Sequence, residues 1–175
     1  QLKDKMGVKN IIDREHELHE IIWEKFEKLE NAHVLADNFS DRLGIYSFYI
    51  DDLHFNLAVQ LLNDKYGIQV RGGCSCAGTY GHMLLDVDIN FSHNITDQID
   101  EGDLSLKPGW VRMSIHPTMT DDEMHYIMNA IEDVSKNHKD IGADYTYNNQ
   151  TNEFVYKDNS FSEMNGERAR SWFEL

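Results

Sequence analysis

Two cysteines separated by one serine, Cys74 and Cys76, lie in the glycine-rich run from Gly72 to Gly81 and are the only cysteines of the chain. Glycine permits positive φ angles and close approach of the backbone, so such a loop can hold a thiol against a ligand. A thiol reacts as its thiolate, and the guanidinium of Arg71 would lower the pKa of a thiol close to it. The run is therefore compatible with a reactive, sulfur-handling cysteine and also with two buried, inert cysteines in a turn.

A second candidate binding residue is Arg112, which lies between Val111 and Met113 in an apolar, strand-like stretch. Alternation along a strand places its side chain on the face opposite to both neighbours. Most arginines on strands are solvated, but a guanidinium in this setting can also bind a carboxylate through two parallel hydrogen bonds. A substrate with an α-carboxylate would suit it.

Metal binding is an alternative use of these residues. The two cysteines and His82 supply at most three ligands at irregular spacing, and the chain has no second cysteine pair to complete a tetrahedral zinc site. His16 and His19 are three residues apart on a predicted helix and could chelate a metal. We nevertheless predict no metal site. A disulfide within Cys-Ser-Cys would be strained, so we expect a reduced, cytoplasmic chain.

The hydrophobic pattern predicts the elements that must position these residues. Amphipathic spacing predicts helices over about 8–31, from an N-cap at Asp51 or Asp52 to Lys65, and after a capping box formed by Thr120 and Glu123. Strands are predicted at 33–35, 44–50, 68–71 and 110–115, followed by a hairpin of 144–147 with 153–156. Residues 82–85 resemble a helical turn, and residues 86–107 resemble a partly helical segment.

This order of elements does not fit a regular parallel βαβ series. We predict an α+β fold in which a small, mainly antiparallel sheet has helices packed on one face. The 175 residues fit a single domain, with a core over about 1–140 and a hairpin and tail over 141–175. The chain starts at Gln1 without an initiator methionine, so we expect a piece of a longer protein.

Composition excludes some classes of partner. The formal net charge is −15 and there is no dense stripe of lysine and arginine, which argues against binding to nucleic acid. No stretch reaches the roughly 20 apolar residues that a membrane span needs. We therefore predict no partner of either kind.

The glycine and cysteine run from Gly67 to Ala77, followed by Val111 to Thr120, resembles the C-terminal small domain of class V aminotransferases and cysteine desulfurases, which are fold-type I pyridoxal-phosphate enzymes that include selenocysteine lyases. Arg14 and Glu15 with the following Leu18 resemble the first helix of that domain, and Tyr46 to Phe48 resemble its first central strand. Desulfurases of the iron–sulfur assembly type often have a histidine pair before the reactive cysteine, where this chain has Cys74 and Ser75.

The resemblance implies specific roles. Cys76 matches the catalytic cysteine that takes up substrate sulfur, Arg112 matches the arginine that binds the substrate carboxylate, and Arg71 matches the arginine before the cysteine loop. Pyridoxal phosphate would be bound by an N-terminal large domain absent from this chain, since no lysine here lies in a matching context. The isolated domain would then be inactive.

The same resemblance implies a cysteine-like substrate, transfer of sulfur to an acceptor protein, and a homodimer when the protein is full length. Two alternatives stay open at this point. One is a class V aminotransferase whose cysteines are structural. The other is a non-enzymatic Cys-x-Cys module for binding or redox chemistry.

Overall fold

The computed structural model describes residues 2–39, 41–73 and 78–158, together with 166, 170 and 171. The helices and strands in chain order are α1 (Leu2–Met6), α2 (Val8–Phe26), β1 (Ala32–Val34), β2 (Ile45–Ile50), α3 (Phe55–Tyr66), β3 (Arg71–Gly73), α4 (Gly78–Leu84), α5 (Ile89–Asp100), β4 (Trp110–Ser114), α6 (Asp121–Ile141), β5 (Tyr145–Asn148) and β6 (Glu153–Tyr156).

Four of the strands form one sheet in the order β1-β2-β4-β3, and every neighbouring pair is antiparallel. The remaining two strands, β5 and β6, pair with each other as an antiparallel hairpin. The predicted α+β fold with a small antiparallel sheet is therefore confirmed, and so is the hairpin.

Helices cover one face of the sheet. Tyr46 and Phe48 of β2 lie opposite Met113 and Val111 of β4, and all four are at most 3% exposed. The same core contains the inner faces of α2, α3 and α6, with the buried residues Leu18, Ile22, Leu61, Leu62, Met124, Met128, Ile131 and Val134. Burying one such side chain contributes about 1.5–3 kcal/mol, so this shared core stabilises the sheet and the helices together.

The capping box at the start of α6 is present as predicted. The backbone N–H of Glu123 donates to Oγ1 of Thr120 at 3.2 Å, and the backbone N–H of Thr120 donates to the Glu123 carboxylate at 2.7 Å. These two bonds satisfy backbone donors that the first turn of a helix leaves without a partner inside the helix.

The predicted cap of α3 was wrong. Residues 51–53 form a tight turn in which Asp52 adopts a φ of 58° and the N–H of Leu53 donates to the carbonyl of Ile50 at 3.2 Å. The helix therefore begins later, and His54 is its N-cap: Nδ1 accepts a hydrogen bond from the backbone N–H of Asn56 at 3.1 Å.

The third strand also begins later than the pattern indicated. Gly67 ends α3 with a φ of 67°, as predicted, and the N–H of Ile68 donates to the carbonyl of Leu62 at 3.0 Å. This Schellman-type bond ties Ile68 to the end of the helix. Residues 68–70 thus connect the helix to β3, which is Arg71–Gly73.

Candidate anion-binding site beside the cysteine loop

The two arginines singled out from the sequence are direct partners in the sheet. In the antiparallel pair β3–β4, Arg71 lies opposite Arg112, and Gly73 lies opposite Trp110. Directly opposed residues point to the same face, with their β-carbons about 5 Å apart. The sheet therefore brings together two cationic side chains that are far apart in the sequence.

The arginine pair occupies the sheet face opposite to the core helices. Val111 and Met113, which flank Arg112, are buried in the core, whereas Arg112 alternates to the other face and is half-buried. Arg71 is exposed. The sheet thus places the two guanidinium groups outside the hydrophobic core.

The electrostatics of this pair favour an anion. Among the described residues, no carboxylate lies within ion-pair distance of Arg71 or Arg112. The Nε atom of Arg112 is buried and has no hydrogen-bond partner in the described part of the chain. Like charges directly opposed across strands destabilise a sheet. A carboxylate that accepts from both guanidinium groups would remove this repulsion.

The predicted catalytic residue Cys76 lies outside the described residues, as does its neighbour Cys74. The described chain ends at Gly73, the last residue of β3, and resumes at Gly78, the first residue of α4. Gly73 has a φ of 121°, a backbone conformation that side-chain-bearing residues rarely adopt. The cysteine run therefore follows directly from the strand that carries Arg71.

Sequence reasoning missed two neighbours of the arginine pair. Ser47 of β2 lies opposite Arg112 on the side away from Arg71. Trp110 precedes Arg112 by two residues on the same face, is 4% exposed, and has an indole Nε1 atom without a hydrogen-bond partner among the described residues. Ser47 is brought close to Arg112 by strand register, which is not encoded locally. Trp110 could have been found from the sequence, because residues two apart on a strand share a face.

One of the two histidines considered for metal binding, His19, is hydrogen-bonded to a core tyrosine. His19 shares a hydrogen bond of 2.5 Å between its Nδ1 and the hydroxyl of Tyr46, and burial lowers the pKa of its imidazole. His16 is exposed on α2. The part of the chain that the structure describes contains no group of three or more potential metal ligands.

Comparison with known proteins decides the family. The family model for aminotransferase class-V matches residues 1–127, which run from α1 into α6. The chain belongs to the class V aminotransferase family. This family is one of pyridoxal-phosphate-dependent enzymes. The β5–β6 hairpin lies beyond the matched residues.

A solved structure of a cysteine desulfurase shares the fold of this class V domain. The apo structure of a cysteine desulfurase from Thermococcus onnurineus NA1 is 23% identical with a TM-score of 0.57, over 76% of this chain and 28% of that protein. The cysteine desulfurase CsdA from Escherichia coli, in an S-sulfonic acid form, is 18% identical with a TM-score of 0.45, over 71% of this chain and 25% of that protein. No curated protein matches the chain. This class V chain thus spans about a quarter of the length of each of these desulfurases.

In the described part of this class V domain, no helix has both the length and the apolar character required to cross a membrane.

Proposed function

We propose that this chain is the C-terminal small domain of a pyridoxal-phosphate-dependent cysteine desulfurase or selenocysteine lyase. In this proposal Cys76 is the catalytic sulfur acceptor, and Arg112 and Arg71 bind the carboxylate of the amino-acid substrate. The cofactor is held by an N-terminal large domain, and the small domain alone is inactive. The full-length protein acts as a cytoplasmic homodimer and passes its sulfur to an acceptor protein.

The observation that carries the proposal is the opposed arginine pair, in which Arg71 lies on β3, the strand that precedes the cysteine run. Arg112 has a buried Nε atom that has no partner among the described residues, and Arg71 faces it across the β3–β4 ladder. Planar guanidinium groups match the geometry of a carboxylate, and a charged hydrogen bond of this kind contributes about 1.5–3 kcal/mol. The donor set therefore fits an amino-acid substrate better than it fits a neutral ligand.

The residues of this chain would have two tasks. The arginines orient the substrate through its carboxylate, which places its sulfur or selenium atom toward the cysteine run. The thiolate of Cys76 then attacks that atom: a bond forms between the two chalcogen atoms, the bond from the substrate carbon breaks, and the substrate leaves as alanine after its carbon takes up a proton. For cysteine, the enzyme is left as a Cys76 persulfide.

Pyridoxal phosphate, when bound, supplies the electron sink that makes the bond between carbon and sulfur cleavable. The proposal gives this chain no residue that holds the cofactor. What this chain contributes is a binding site for the substrate carboxylate and a nucleophile.

The role of Cys76 is tested in the full-length protein by a Cys76→Ala variant, with Cys74→Ser as the matched control. An added thiol reductant releases the persulfide sulfur as sulfide. Under these conditions we expect Cys76→Ala to abolish release of alanine and sulfide from cysteine and Cys74→Ser to retain it. Unchanged turnover in Cys76→Ala would exclude this cysteine as the essential acceptor. A parent protein that releases no sulfide from cysteine would favour an aminotransferase with structural cysteines. A stoichiometric metal that binds the protein and is lost in Cys74→Ser would instead favour a Cys-x-Cys binding module.

The role of Arg112 is tested by comparing Arg112→Gln with Arg112→Lys in the same full-length protein. Loss of a charged hydrogen bond of about 1.5–3 kcal/mol predicts that kcat/KM for cysteine falls by about tenfold to a hundredfold in Arg112→Gln. Arg112→Lys keeps the charge but not the planar pair of donors, so we expect an intermediate loss. Equal kcat/KM in all three proteins would contradict a carboxylate site at Arg112.

A further inference from the structure

The aromatic ring of Phe55, the first residue of α3, is wedged against the backbone of the strand pair that carries the arginines. A β-carbon placed on Gly109, just before β4, would lie 2.6 Å from Cε1 of Phe55. One placed on Gly72, in the middle of β3, would lie 3.1 Å from Cδ2 of the same ring. Phe55 is 7% exposed. Its ring therefore touches the chain one residue from Arg71 and three residues from Arg112.

A stack of aromatic rings extends from Phe55 to the β5–β6 hairpin. The imidazole of His54 is stacked on Phe55 with ring centroids 4.5 Å apart and an interplanar angle of 26°. The same imidazole contacts Tyr147 of β5 at 5.3 Å and Phe154 of β6 at 5.2 Å between centroids. Tyr147 and Phe154 are cross-strand partners, 4.7 Å apart. A continuous line of packed rings thus joins the hairpin to β3 and β4.

Polar contacts hold the hairpin in register with α3. The side-chain amide of Asn56 donates to the backbone carbonyl of Asn152, and the hydroxyl of Tyr147 donates to Oδ1 of Asn152 at 2.8 Å. Asn152 is 7% exposed and has a φ of 60°. The hairpin is therefore docked at the N-terminus of α3. Its aromatic face, formed by Tyr147 and Phe154, is held against His54.

We propose that the β5–β6 hairpin, acting through His54 and Phe55, positions the strands that carry Arg71 and Arg112. His54, Phe55, Tyr147 and Phe154 are then positioning residues for the anion site. The hairpin lies beyond residues 1–127, the part of the chain matched by the family model. The relevance of the strand positions for catalysis rests on the proposed function.

Close packing allows the hairpin to affect the strands through His54 and Phe55. Protein interiors have few voids, so a ring packed against two paired strands can shift only if its neighbours move. Removing the aromatic surface behind His54 leaves space into which the imidazole and then Phe55 can relax. The backbone at Gly72 and Gly109 would then be less well fixed. Small displacements of groups that orient a substrate are costly to catalysis.

The test uses the full-length protein and compares Phe154→Ala with Val155→Ala. Val155 is the adjacent hairpin residue and is 49% exposed on the opposite face, so its truncation is a matched control. We expect hydrogen–deuterium exchange at residues 71–73 and 109–112 to quicken by about fivefold or more in Phe154→Ala and to stay unchanged in Val155→Ala. Phe154→Tyr should behave as the parent, because it keeps the ring.

A second variant distinguishes loss of positioning from unfolding of the hairpin itself. His54→Asn keeps a side chain that caps helices well while removing the imidazole stack. We expect it to quicken exchange at the same strand residues and to raise KM for the amino acid by about threefold or more with little change in kcat. The proposal would be overturned if Phe154→Ala quickened exchange only within residues 145–156. It would also be overturned if His54→Asn left exchange in the strands unchanged. Because exchange needs no substrate, this outcome is distinct from failure of the proposed function, which Cys76→Ala reports.

Discussion

At the scale of single residues, His54 performs two tasks that require the neutral imidazole. Its Nδ1 accepts the first backbone N–H bond of α3, and its ring packs between Phe55 and the hairpin. Burial lowers the pKa of His54 below its ordinary value, and a weaker interaction with the side chain of Asn152 opposes this shift. Protonation would convert the accepting nitrogen into a donor and remove the cap.

We therefore predict a stability that falls with acidification. A histidine whose pKa is lower in the folded state stabilises the fold above its unfolded pKa of about 6.5, and this contribution is lost as pH falls toward the folded value. His19 acts in the same direction because its pKa is also lowered. Urea unfolding at pH about 7.5 and about 5.5 should show a lower free energy of unfolding at the acidic pH, in the window where histidines titrate.

The control for this prediction is His54→Asn, which keeps a capping side chain but cannot titrate. Its free energy of unfolding should depend less on pH over the same interval. The shifted Asp and Glu groups have lowered pKa values in the folded state, as with Glu132 at about 2 beside Lys136 and Lys25. Their unfolded pKa values of about 4 also lie below this pH interval, so carboxylates contribute little to the difference. An equal pH dependence in both proteins would show that His54 is not the group responsible.

At the scale of elements, the stability of α6 depends on the capping box at its N-terminus. This 21-residue helix contributes Met124, Met128, Ile131 and Val134 to the core, and it contacts both α2 and α3. Its N-terminus is closed by the reciprocal bonds of Thr120 and Glu123. The cap therefore supports the element that joins the other two helices of the core.

Truncating the cap should weaken the whole fold by a moderate amount. We expect Thr120→Ala to lower the free energy of unfolding by about 1 kcal/mol, the usual effect of losing a capping hydroxyl. Thr120→Ser retains the hydroxyl and should remain close to the parent. Urea denaturation of the three proteins measures this, and a Thr120→Ser variant as unstable as Thr120→Ala would attribute the loss to the methyl group.

At the scale of the whole molecule, the chain carries a large excess of negative charge. The chain has 31 Asp and Glu residues against 16 Lys and Arg residues. Its ion pairs are mostly exposed, such as those of Lys28 with Glu24 and Lys139 with Asp52. Exposed pairs contribute little to stability, whereas the net charge of −15 produces repulsion throughout the compact state.

Screening this repulsion should stabilise the chain. Raising NaCl from about 0.1 M to about 1 M shortens the Debye length from about 10 Å to about 3 Å. We predict a higher free energy of urea unfolding at the higher salt concentration. A value that falls would mean that the ion pairs, including the one between Lys25 and Glu132, outweigh the net repulsion.

Local patterns in the sequence were sufficient for those parts of the fold that depend on neighbouring residues. The capping box at Thr120, the left-handed helix end at Gly67 and the hairpin after Asp144 are each encoded within a few residues, and the structure has all three. The start of α3 and the start of β3 were misjudged. Both depend on bonds of the turns next to them, at Leu53 and Ile68, that composition alone does not reveal.

The sequence by itself also determined the family, because the run from Gly67 to Ala77 and the strand of Arg112 carry its pattern. Only the tertiary structure decided that Arg71 faces Arg112 and that Phe55 lies against Gly72 and Gly109. Strand register and ring packing arise from contacts between segments distant in the chain, and their free energy depends on the whole core. No local spacing can specify them.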